Sequence, residues 1–552
     1  MGDVRSANWV RIIYSGVLIL SFGLNACGDA GPGGLSSSGS FSDESGNNTR
    51  SNDGQNDNIV QKDMGAASTH FQRLELADYA DGLSEMLHAS RPGPREISNI
   101  VFDQETSIEN KRGLTSYVWQ WGQLFDHDVT LTGEMNPKEP AFIEIPIGDP
   151  FFDSAGDGAP AMIFNRSQYD PLSGQGFGSV REIINSTTSW IDGSFLYGPS
   201  DARAIWLRTL SGGKLKEGEG RLMPFNDGTQ DNKPTSSPAF FVAGDVRANE
   251  QPGLAAMHTL FVREHNYWAD KLALKHPDWN DERLYQHARR IVIGEVQGIT
   301  YYDFLPAILG EDAFVPYAGY DPQINASIST EFATTFYRFG HTLLPPELLR
   351  LNADGSEALP PLALRDVFFN IDEILNNGID KILSGLAYQK AQEMDALAID
   401  EVRNFLFGPL GSGQLQDLVS LNIHRGRDHG IPDYNTVRTH FGLVAVDSFD
   451  DITKDPEVIA RLQSAYGDPF DIDVFVGMLA EDHIPGTSTG PLLSAALKDQ
   501  FERLRDGDRF WYENDAMLSN EEVAEIRGTQ LSDIIRRNTG LTNIRDNVFI
   551  LP

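Results

Sequence analysis

Apolar side chains recur at helical spacing in several long stretches of the chain, and this pattern predicts a mainly α-helical protein. In the first stretch, the residues that share one helical face are Leu114, Tyr117, Val118, Trp121, Leu124 and Phe125. A second stretch repeats the pattern, with Leu260, Phe261, Trp268 and Leu272. A third, 291–309, is strongly apolar. Alternation typical of β-strands is scarce, so we expect only short strands, near 143–147 and 548–551.

The first 27 residues have the pattern of a secretion signal. Two arginines precede the apolar run 12–24, which is shorter than the roughly 20 residues that a helix needs to cross a bilayer. The run leads into Leu24-Asn25-Ala26-Cys27, which resembles the lipobox of bacterial lipoproteins. Segment 1–27 is therefore predicted to be a lipoprotein-type signal. The mature protein is expected outside the cytoplasm, either secreted or anchored to the bacterial cell envelope through a lipid on Cys27.

Residues 28–67 are rich in Gly, Ser, Asn and Asp, and such a segment buries too little apolar area to offset the entropy of ordering it. We therefore predict a flexible tether. The length of 552 residues suggests several domains at about 150 residues each. However, no second low-complexity break and no internal repeat follows, and 68–552 is predicted to be one catalytic domain.

Charge and cysteine content exclude several classes of protein. The chain has 44 Lys and Arg against 79 Asp and Glu, a formal net charge of −35, which argues against nucleic acid as a partner. Its single cysteine cannot form an intrachain disulfide, a cysteine-based zinc or iron–sulfur site, or a CxxCH haem attachment. Residues 486–490 match the G-x-S-x-G pattern of serine hydrolases, but no buried strand precedes them, so we interpret them as a loop that caps a helix.

Four clusters of polar residues stand out from the apolar helices. In the first, Gln123 and His127 are four residues apart and project from one helical face, with Asp126 beside them. The others are 247–250, 337–343 and 422–430. Taken singly, these three could be an exposed ion pair, a cation at a helix C-terminus and a basic turn. Their combination is more informative.

Together the clusters resemble the animal-type haem peroxidases of the peroxidase–cyclooxygenase superfamily, in particular a bacterial member. The ordered motifs that carry the resemblance are WGQLFDHD, NSTTSWIDGSFLYG, AGDVRANE with AMHTLFVREHN, YRFGHTL and LNIHRGRDHGIPDYN. They lie between about Arg91 and about Asn514. The resemblance implies one large, mainly α-helical domain with haem between its central helices.

The resemblance implies catalytic roles for three residues. His127 matches the distal histidine, which moves a proton between the two oxygens of H2O2, and Arg247 matches the distal arginine, which stabilises the departing hydroxide. Gln123 matches the residue that hydrogen-bonds distal water or halide. The implied reaction is reduction of H2O2 through a ferryl intermediate.

The resemblance also assigns residues to haem b. His341 matches the proximal iron ligand, and Asn422 matches the acceptor of its other ring N–H. Arg425 matches the partner of a haem propionate, and Arg338 a further arginine on the proximal side. The carboxylates that form ester links to haem in this family match two residues of the chain, Asp126 and Glu250. Both are present, which implies covalently held haem.

A calcium site is implied beside the distal histidine. The side-chain ligands would be Asp128, Thr188, Asp192 and Ser194, with backbone carbonyls from Thr188 and Trp190. A set composed only of oxygen atoms suits Ca²⁺. The alternative is a Ser- and Thr-rich turn without a metal.

The expected donors are iodide, thiocyanate, bromide and small aromatic molecules. In the chloride-oxidising members a methionine follows the second ester residue, whereas Gln251 stands here, which argues against chloride. One alternative is a fatty-acid dioxygenase, but these have a tyrosine three residues before the proximal histidine, where this chain has Arg338. A non-catalytic adhesion or matrix protein is the other alternative, although His127 and His341 are both retained. The sequence does not predict an oligomeric state, and a membrane contact is expected only through the lipid.

Overall fold

The computed structural model describes residues 48–87, 91–158, 161–176, 178–407 and 416–552. Both the predicted signal 1–27 and the first half of the predicted tether lie outside these residues. The described part is dominated by helices around one hydrophobic core, which confirms the predicted fold class. None of its helices is long and apolar enough to cross a membrane.

Helices follow one another along most of the described chain. The α-helices are α1 (Pro94–Val101), α2 (Ser116–Val129), α3 (Ser194–Tyr197), α4 (Asp201–Leu207), α5 (Pro252–Lys275), α6 (Asp281–Ile299), α7 (Leu305–Leu309), α8 (Thr330–Thr334), α9 (Asp372–Asn377), α10 (Asp380–Tyr388), α11 (Asp400–Arg403), α12 (Leu418–Asp428), α13 (Tyr434–His440), α14 (Pro456–Tyr466), α15 (Val474–Ala480), α16 (Pro491–Asp506), α17 (Asn520–Gly528) and α18 (Leu531–Asn538). A π-helical turn, Thr300–Phe304, joins α6 to α7. The 3-10 helices are Glu219–Arg221, Phe336–Thr342, Leu364–Asp366, Phe449–Asp451 and Pro469–Asp471.

Helix α2 lies at the centre of the core. It begins where the Thr115 side chain accepts a hydrogen bond from the backbone N–H of Tyr117, and every residue of the helix except Gln123 is buried. It packs against α5, which starts with Pro252 at its first position. Because α2 is buried on all sides, the polar residues of its last turn must find partners inside the protein.

Strands are few and short in the residues that the structure describes, as expected. They form two antiparallel pairs, β1 (Thr69–His70) with β2 (Ile184–Asn185) and β3 (Glu347–Leu351) with β4 (Glu357–Ala363). Thr69 pairs with Asn185 in the first sheet, and Glu347 with Ala363 in the second. The two strands expected near 143–147 and 548–551 are reduced to single bridges, Ile143 with Met162 and Leu114 with Ile550. Pro146, inside the first of these two segments, lacks the backbone N–H that a longer ladder needs.

The loop at 486–490 caps a helix, as interpreted from the sequence. Gly490 precedes α16, and Pro491 occupies the first helical position. The Ser488 side chain is buried and accepts a hydrogen bond from Arg112, at 3.0 Å. A buried, hydrogen-bonded hydroxyl on such a loop has no features of an exposed nucleophile.

The segment 48–67 is part of the folded domain, so the predicted flexible tether is wrong for these residues. The guanidinium of Arg50 is buried between Asp57 and Asp508, with N–O distances of 3.1 and 2.7 Å. The buried side chain of Asn58 donates to the carbonyl of Pro322, at 3.0 Å. The segment is polar in composition, yet its polar groups pair with the domain instead of with water, and the composition alone does not reveal this.

We expect Arg50→Met to destabilise the holoprotein by about 3–5 kcal/mol, because it leaves the buried carboxylates of Asp57 and Asp508 without a cation. Lys214→Met is the matched control, since Lys214 forms an exposed pair with Asp270 and such pairs contribute about 1 kcal/mol or less. Urea unfolding followed by circular dichroism measures both. Equal effects of the two substitutions would contradict a structural role for the segment.

Candidate active site

A central cavity is lined by the last turn of α2, the loop before α5, the 3-10 helix 336–342 and α12. The volume of this cavity is about 310 Å³. The cavity brings together the nine residues that the sequence assigns to catalysis and haem: Gln123, Asp126, His127, Arg247, Glu250, Arg338, His341, Asn422 and Arg425. It is large enough for a cofactor-sized ligand, since ligand sites occupy about 300–1,000 Å³.

His127 is held as a neutral imidazole. The side chain is 3% exposed, and burial, followed by the positive charge of Arg247, lowers its pKa to about 3. Its Nδ1 lies 3.5 Å from a carboxylate oxygen of Asp245, and its Nε2 lies 3.9 Å from one of Glu250. Neither nitrogen has a close hydrogen-bond partner among the described residues, so the imidazole is available to a small molecule in the cavity.

Arg247 is fixed by several acceptors. Its Nε and Nη2 donate to the two oxygens of Asp245, at 2.9 and 2.8 Å, and Nη2 also donates to the carbonyl of Thr130, at 2.7 Å. Burial alone would raise the pKa of Asp245, but Arg247 and then His127 hold this pKa well below its usual range. The sequence assignment missed Asp245, although it lies two residues before Arg247 in the same motif.

His341 lies on the 3-10 helix 336–342 and contacts α12. The Asn422 side-chain amide lies 2.8 Å from its Nδ1. Burial, followed by the charge of Arg338, lowers the pKa of His341 to about 3 and keeps the ring neutral. Its Nε2 makes no hydrogen bond to the described residues and therefore remains free to bind a metal ion. A metal on Nε2 requires the proton on Nδ1, and then the amide oxygen of Asn422 accepts that proton's hydrogen bond.

The carboxylates of Asp126 and Glu250 line the cavity in different electrostatic environments. Burial alone would raise the pKa of Asp126, but the guanidinium groups of Arg338 and Arg247 hold it below its usual range, and Thr130 donates to the carboxylate at 2.7 Å. Burial raises the pKa of Glu250 despite the charge of Arg247. Glu250 accepts a hydrogen bond from Gln123, at 3.1 Å.

Gln251 is held by its neighbours instead of projecting freely. Its amide nitrogen donates to the side-chain oxygens of Gln120 and Gln123, at 2.7 and 3.0 Å. Its amide oxygen accepts from the backbone N–H of Gly253, at 2.6 Å, and thereby caps α5. Gly253 has no room for a side chain, because an added Cβ would lie 2.4 Å from the Gln120 oxygen.

Arg425 is only partly paired by the protein. Its Nη1 donates to the Asn165 carbonyl, the Ser167 hydroxyl and Asp428, at 2.8–3.0 Å. Its Nε and Nη2 make no hydrogen bond with the described residues, and the guanidinium lies over the ring of Phe164. An anionic group that enters the cavity would find these donors available.

The residues assigned to calcium converge on a buried cluster behind α2, the helix that carries His127 (the distal helix). Asp128 accepts hydrogen bonds from the backbone N–H groups of Gly193 and Phe195, at 3.3 and 3.1 Å. Asp192 accepts from the hydroxyls of Thr188 and Ser194, at 2.8 and 2.6 Å. Burial raises the pKa of both carboxyl groups, and the charge of Asp192 raises that of Asp128 further.

Trp190 lies in the same loop as Asp192 and is fully buried. Within the described residues, no three His, Cys, Asp or Glu side chains are grouped as a metal site, so a cation here would depend on hydroxyl and carbonyl oxygens as well.

Comparison with known proteins gives consistent matches over nearly the whole chain. The animal haem peroxidase profile matches residues 49–549. Peroxinectin A of Dictyostelium discoideum is 38% identical over 517 residues, which cover 91% of this chain and 95% of the relative. The solved structure of peroxidase A from Dictyostelium discoideum has a TM-score of 0.84 and 37% identity, covering 91% of this chain and 99% of its own. Dual oxidase 1 of Caenorhabditis elegans is 35% identical over 531 residues, but the chain spans only 35% of that longer protein.

The matched range includes the whole cavity and the segment that contains Arg50. The beginning of the family match agrees with a domain that starts near residue 49 instead of residue 68. From the match to the family and the similarity to a solved peroxidase, the chain belongs to the animal haem peroxidase family and is a haem-dependent oxidoreductase.

Proposed function

We propose that this peroxidase reduces H2O2 at the central cavity and oxidises iodide, thiocyanate, bromide and small aromatic donors. The observation that carries the proposal is that His127, Arg247 and His341 line one cavity in which both imidazoles are neutral. The neutral imidazole of His127 can accept a proton, and the neutral imidazole of His341 can bind a metal ion.

The residues present fit a haem group. His341 offers a free Nε2 as ligand, with Asn422 on its other nitrogen, and Arg425 offers two unpaired donor groups to a propionate. Bound haem supplies the iron that takes up the two oxidising equivalents of peroxide. The contact from Asn422 fixes the ring orientation of His341, which a metal ligand requires.

Proton transfer within H2O2 is the task that His127 can perform. Its neutral ring accepts the proton of one peroxide oxygen and delivers it to the other oxygen, which leaves as water. Arg247 cannot lose its proton at working pH, and its charge stabilises negative charge on the departing oxygen. Asp245 positions Arg247 through two hydrogen bonds and faces the Nδ1 of His127.

The carboxylates of Asp126 and Glu250 are proposed to form the ester links to haem. Both line the cavity, and the low pKa of Asp126 keeps this carboxylate ionised, which makes it a nucleophile at neutral pH. Two links would retain haem in a chain that has no CxxCH motif.

The donor range is proposed from the groups near the cavity and from the net charge. Gln251 supplies no sulfur for a third link, and its amide is already engaged with Gln120 and Gln123. We therefore place chloride outside the range. With a net charge of −35 the surface does not steer anions inward, so neutral aromatic donors belong to the range as well.

Calcium is proposed to bind between Asp128 and the loop that holds Asp192. Two buried carboxyl groups with raised pKa values repel each other when ionised, and a divalent cation would relieve this repulsion. Because Asp128 follows His127, the ion would brace the distal helix.

Metal analysis of the purified protein and of Asp128→Asn tests the calcium site: stoichiometric calcium is expected only in the unsubstituted protein.

The purified holoprotein is expected to oxidise iodide, thiocyanate, bromide and guaiacol with H2O2, and chloride far more slowly. His127→Ala should lower these rates by about 10²–10⁴-fold, the usual contribution of general acid–base catalysis. His70→Ala, at an exposed position, is the control.

Two outcomes would contradict the proposal. Oxygen uptake with a fatty acid, without peroxide-dependent turnover of these donors, would indicate a dioxygenase. A protein that shows no Soret band after haem is supplied would indicate a non-catalytic role.

The rate of reaction with peroxide is expected to be constant between about pH 5 and pH 8, because the proton-accepting form of His127 is already populated there. With a pKa of about 3, activity falls only in more acidic solution, as the imidazole gains a proton. Stopped-flow absorbance in the Soret region measures this rate, with circular dichroism at each pH as the control for folding. A fall centred near the ordinary histidine pKa of about 6.5 would contradict the assignment.

After exposure to a few equivalents of H2O2, haem is expected to stay with the polypeptide during extraction with acidified butanone. Asp126→Asn and Glu250→Gln should each remove one link, and the double variant should release its haem. Glu109→Gln, an exposed carboxylate, is the control. Mass spectrometry of the polypeptide gives the number of links, and release of haem from the unsubstituted protein would refute them.

A further inference from the structure

A continuous series of aromatic side chains runs from the central cavity to the surface. Its members, in order, are Tyr337, Phe501, Tyr301, Trp511, Tyr512 and Tyr302. Successive ring centroids are 6.1, 5.9, 4.9 and 5.0 Å apart as far as Tyr512, and the hydroxyls of Tyr512 and Tyr302 lie 3.2 Å apart. Tyr337 belongs to the cavity wall.

The outer end of the series is an exposed tyrosine with a proton acceptor beside its hydroxyl. The Tyr302 side chain is 43% exposed, and within the described residues it is the one tyrosine among the exposed large side chains. Its hydroxyl donates to a carboxylate oxygen of Glu513, at 2.9 Å. Arg527 donates to the other oxygen of Glu513, at 2.7 Å, and so holds this carboxylate in place.

The interior members of the series are shielded from solvent. Tyr301, Trp511 and Tyr512 are each 5% exposed or less. The Tyr301 hydroxyl donates to the carbonyl of Phe501, at 2.5 Å, and the Tyr512 hydroxyl donates to that of Tyr302. Phenol and indole rings are the side chains that give up one electron most readily, and three of them stand here in contact.

The π-helical turn supplies both an interior member and the surface member of the series. Tyr301 and Tyr302 are neighbours in the turn Thr300–Phe304, yet Tyr301 points into the core and Tyr302 lies at the surface. Tyr317 also contacts Trp511, at 5.9 Å, but its buried hydroxyl has no acceptor among the described residues. Tyr302, with Glu513 beside it, is therefore the better exit.

We propose that Tyr302 is a second oxidation site, at which phenolic groups on molecules too large for the cavity are oxidised by one electron at a time. The proposal rests on the peroxidase function of the central cavity, which supplies the oxidising equivalents. Tyr302, Tyr512, Trp511 and Tyr301 relay the electron inward, and it crosses the rings of Phe501 and Tyr337 by tunnelling.

The reaction balances with H2O2 as the oxidant. Tyr302 loses an electron to the relay and its phenolic proton to Glu513. A phenolic donor then gives one electron to Tyr302, Glu513 returns the proton to Tyr302, and the donor releases its own phenolic proton to solvent and becomes a phenoxyl radical. Reduction of H2O2 in the cavity takes up one proton from solvent for each electron. Two such events reduce one H2O2: H2O2 and two phenols give two molecules of water and two phenoxyl radicals.

The first test maps the radical without measuring turnover. The holoprotein is mixed with one equivalent of H2O2 and a nitroso spin trap in the absence of donor, and the adduct is located by peptide mass spectrometry. We expect the adduct on Tyr302, and its loss in Tyr302→Phe and in Trp511→Phe. Trp511→Phe removes no hydrogen bond to the described residues, because the indole nitrogen of Trp511 has no partner there.

An adduct on Tyr302 that persists in Trp511→Phe would overturn the relay. Absence of an adduct on Tyr302 in a protein that oxidises guaiacol would overturn the site itself.

The second test compares a large donor with small ones. The large donor is tyramine coupled to dextran, and the small donors are guaiacol and iodide. Tyr302→Phe is expected to lower the rate with tyramine–dextran at least about tenfold and to leave both small donors nearly unchanged. Tyr388→Phe is the matched control, because Tyr388 lies outside the series and its hydroxyl donates to the Ala353 carbonyl.

The outcomes separate this proposal from the peroxidase function. If the unsubstituted protein oxidises neither guaiacol nor iodide, the proposed donor range of the cavity fails. If it oxidises both but not tyramine–dextran, or if Tyr302→Phe oxidises tyramine–dextran at the full rate, the surface site alone is refuted.

Discussion

The structure depends on a single costly arrangement, the burial of three consecutive polar side chains in the last turn of α2. Asp126, His127 and Asp128 are all within 5% of complete burial, and each points to a different partner set. Burial of an unpaired charge is strongly unfavourable, so the surrounding chain has to supply compensation for each. The carboxylate of Asp126 is compensated by the charges of Arg247 and Arg338. His127 needs no counter-charge because its ring is neutral. Asp128 accepts hydrogen bonds from backbone N–H groups at the start of α3.

Much of the fold and of the site could be predicted from the sequence. The apolar stripes on α2 and α5 indicated helices, because a buried face at helical spacing leaves a clear record. The ordered motifs indicated which polar residues meet. Asp245 and Gln120 were not predicted, since neither has a distinctive spacing and their roles come only from contacts with Arg247 and Gln251.

The ends of elements and of the domain were harder to predict. The expected strands near 143–147 and 548–551 are single bridges because pairing depends on where a partner strand lies, which local alternation does not encode. The folded segment 48–67 was assigned to a tether because composition measures what a segment could bury by itself. It does not measure the pairing of Arg50 with Asp508, which is 458 positions away.

Arg50 lies near the beginning of the described chain, yet its charge reaches the surroundings of the active site. The charge of Arg50 acts on Asp508 and Asp57 and also on Asp192, which belongs to the loop behind the distal helix; burial raises the pKa of Asp192, and Arg50 opposes this rise. Segment 48–67 is thus in electrostatic contact with the carboxylate that faces Asp128. A domain boundary drawn by composition at residue 68 would cut this connection. Segment 48–67 is therefore linked through Arg50 and Asp192 to the loop beside Asp128, and the catalytic unit includes Arg50.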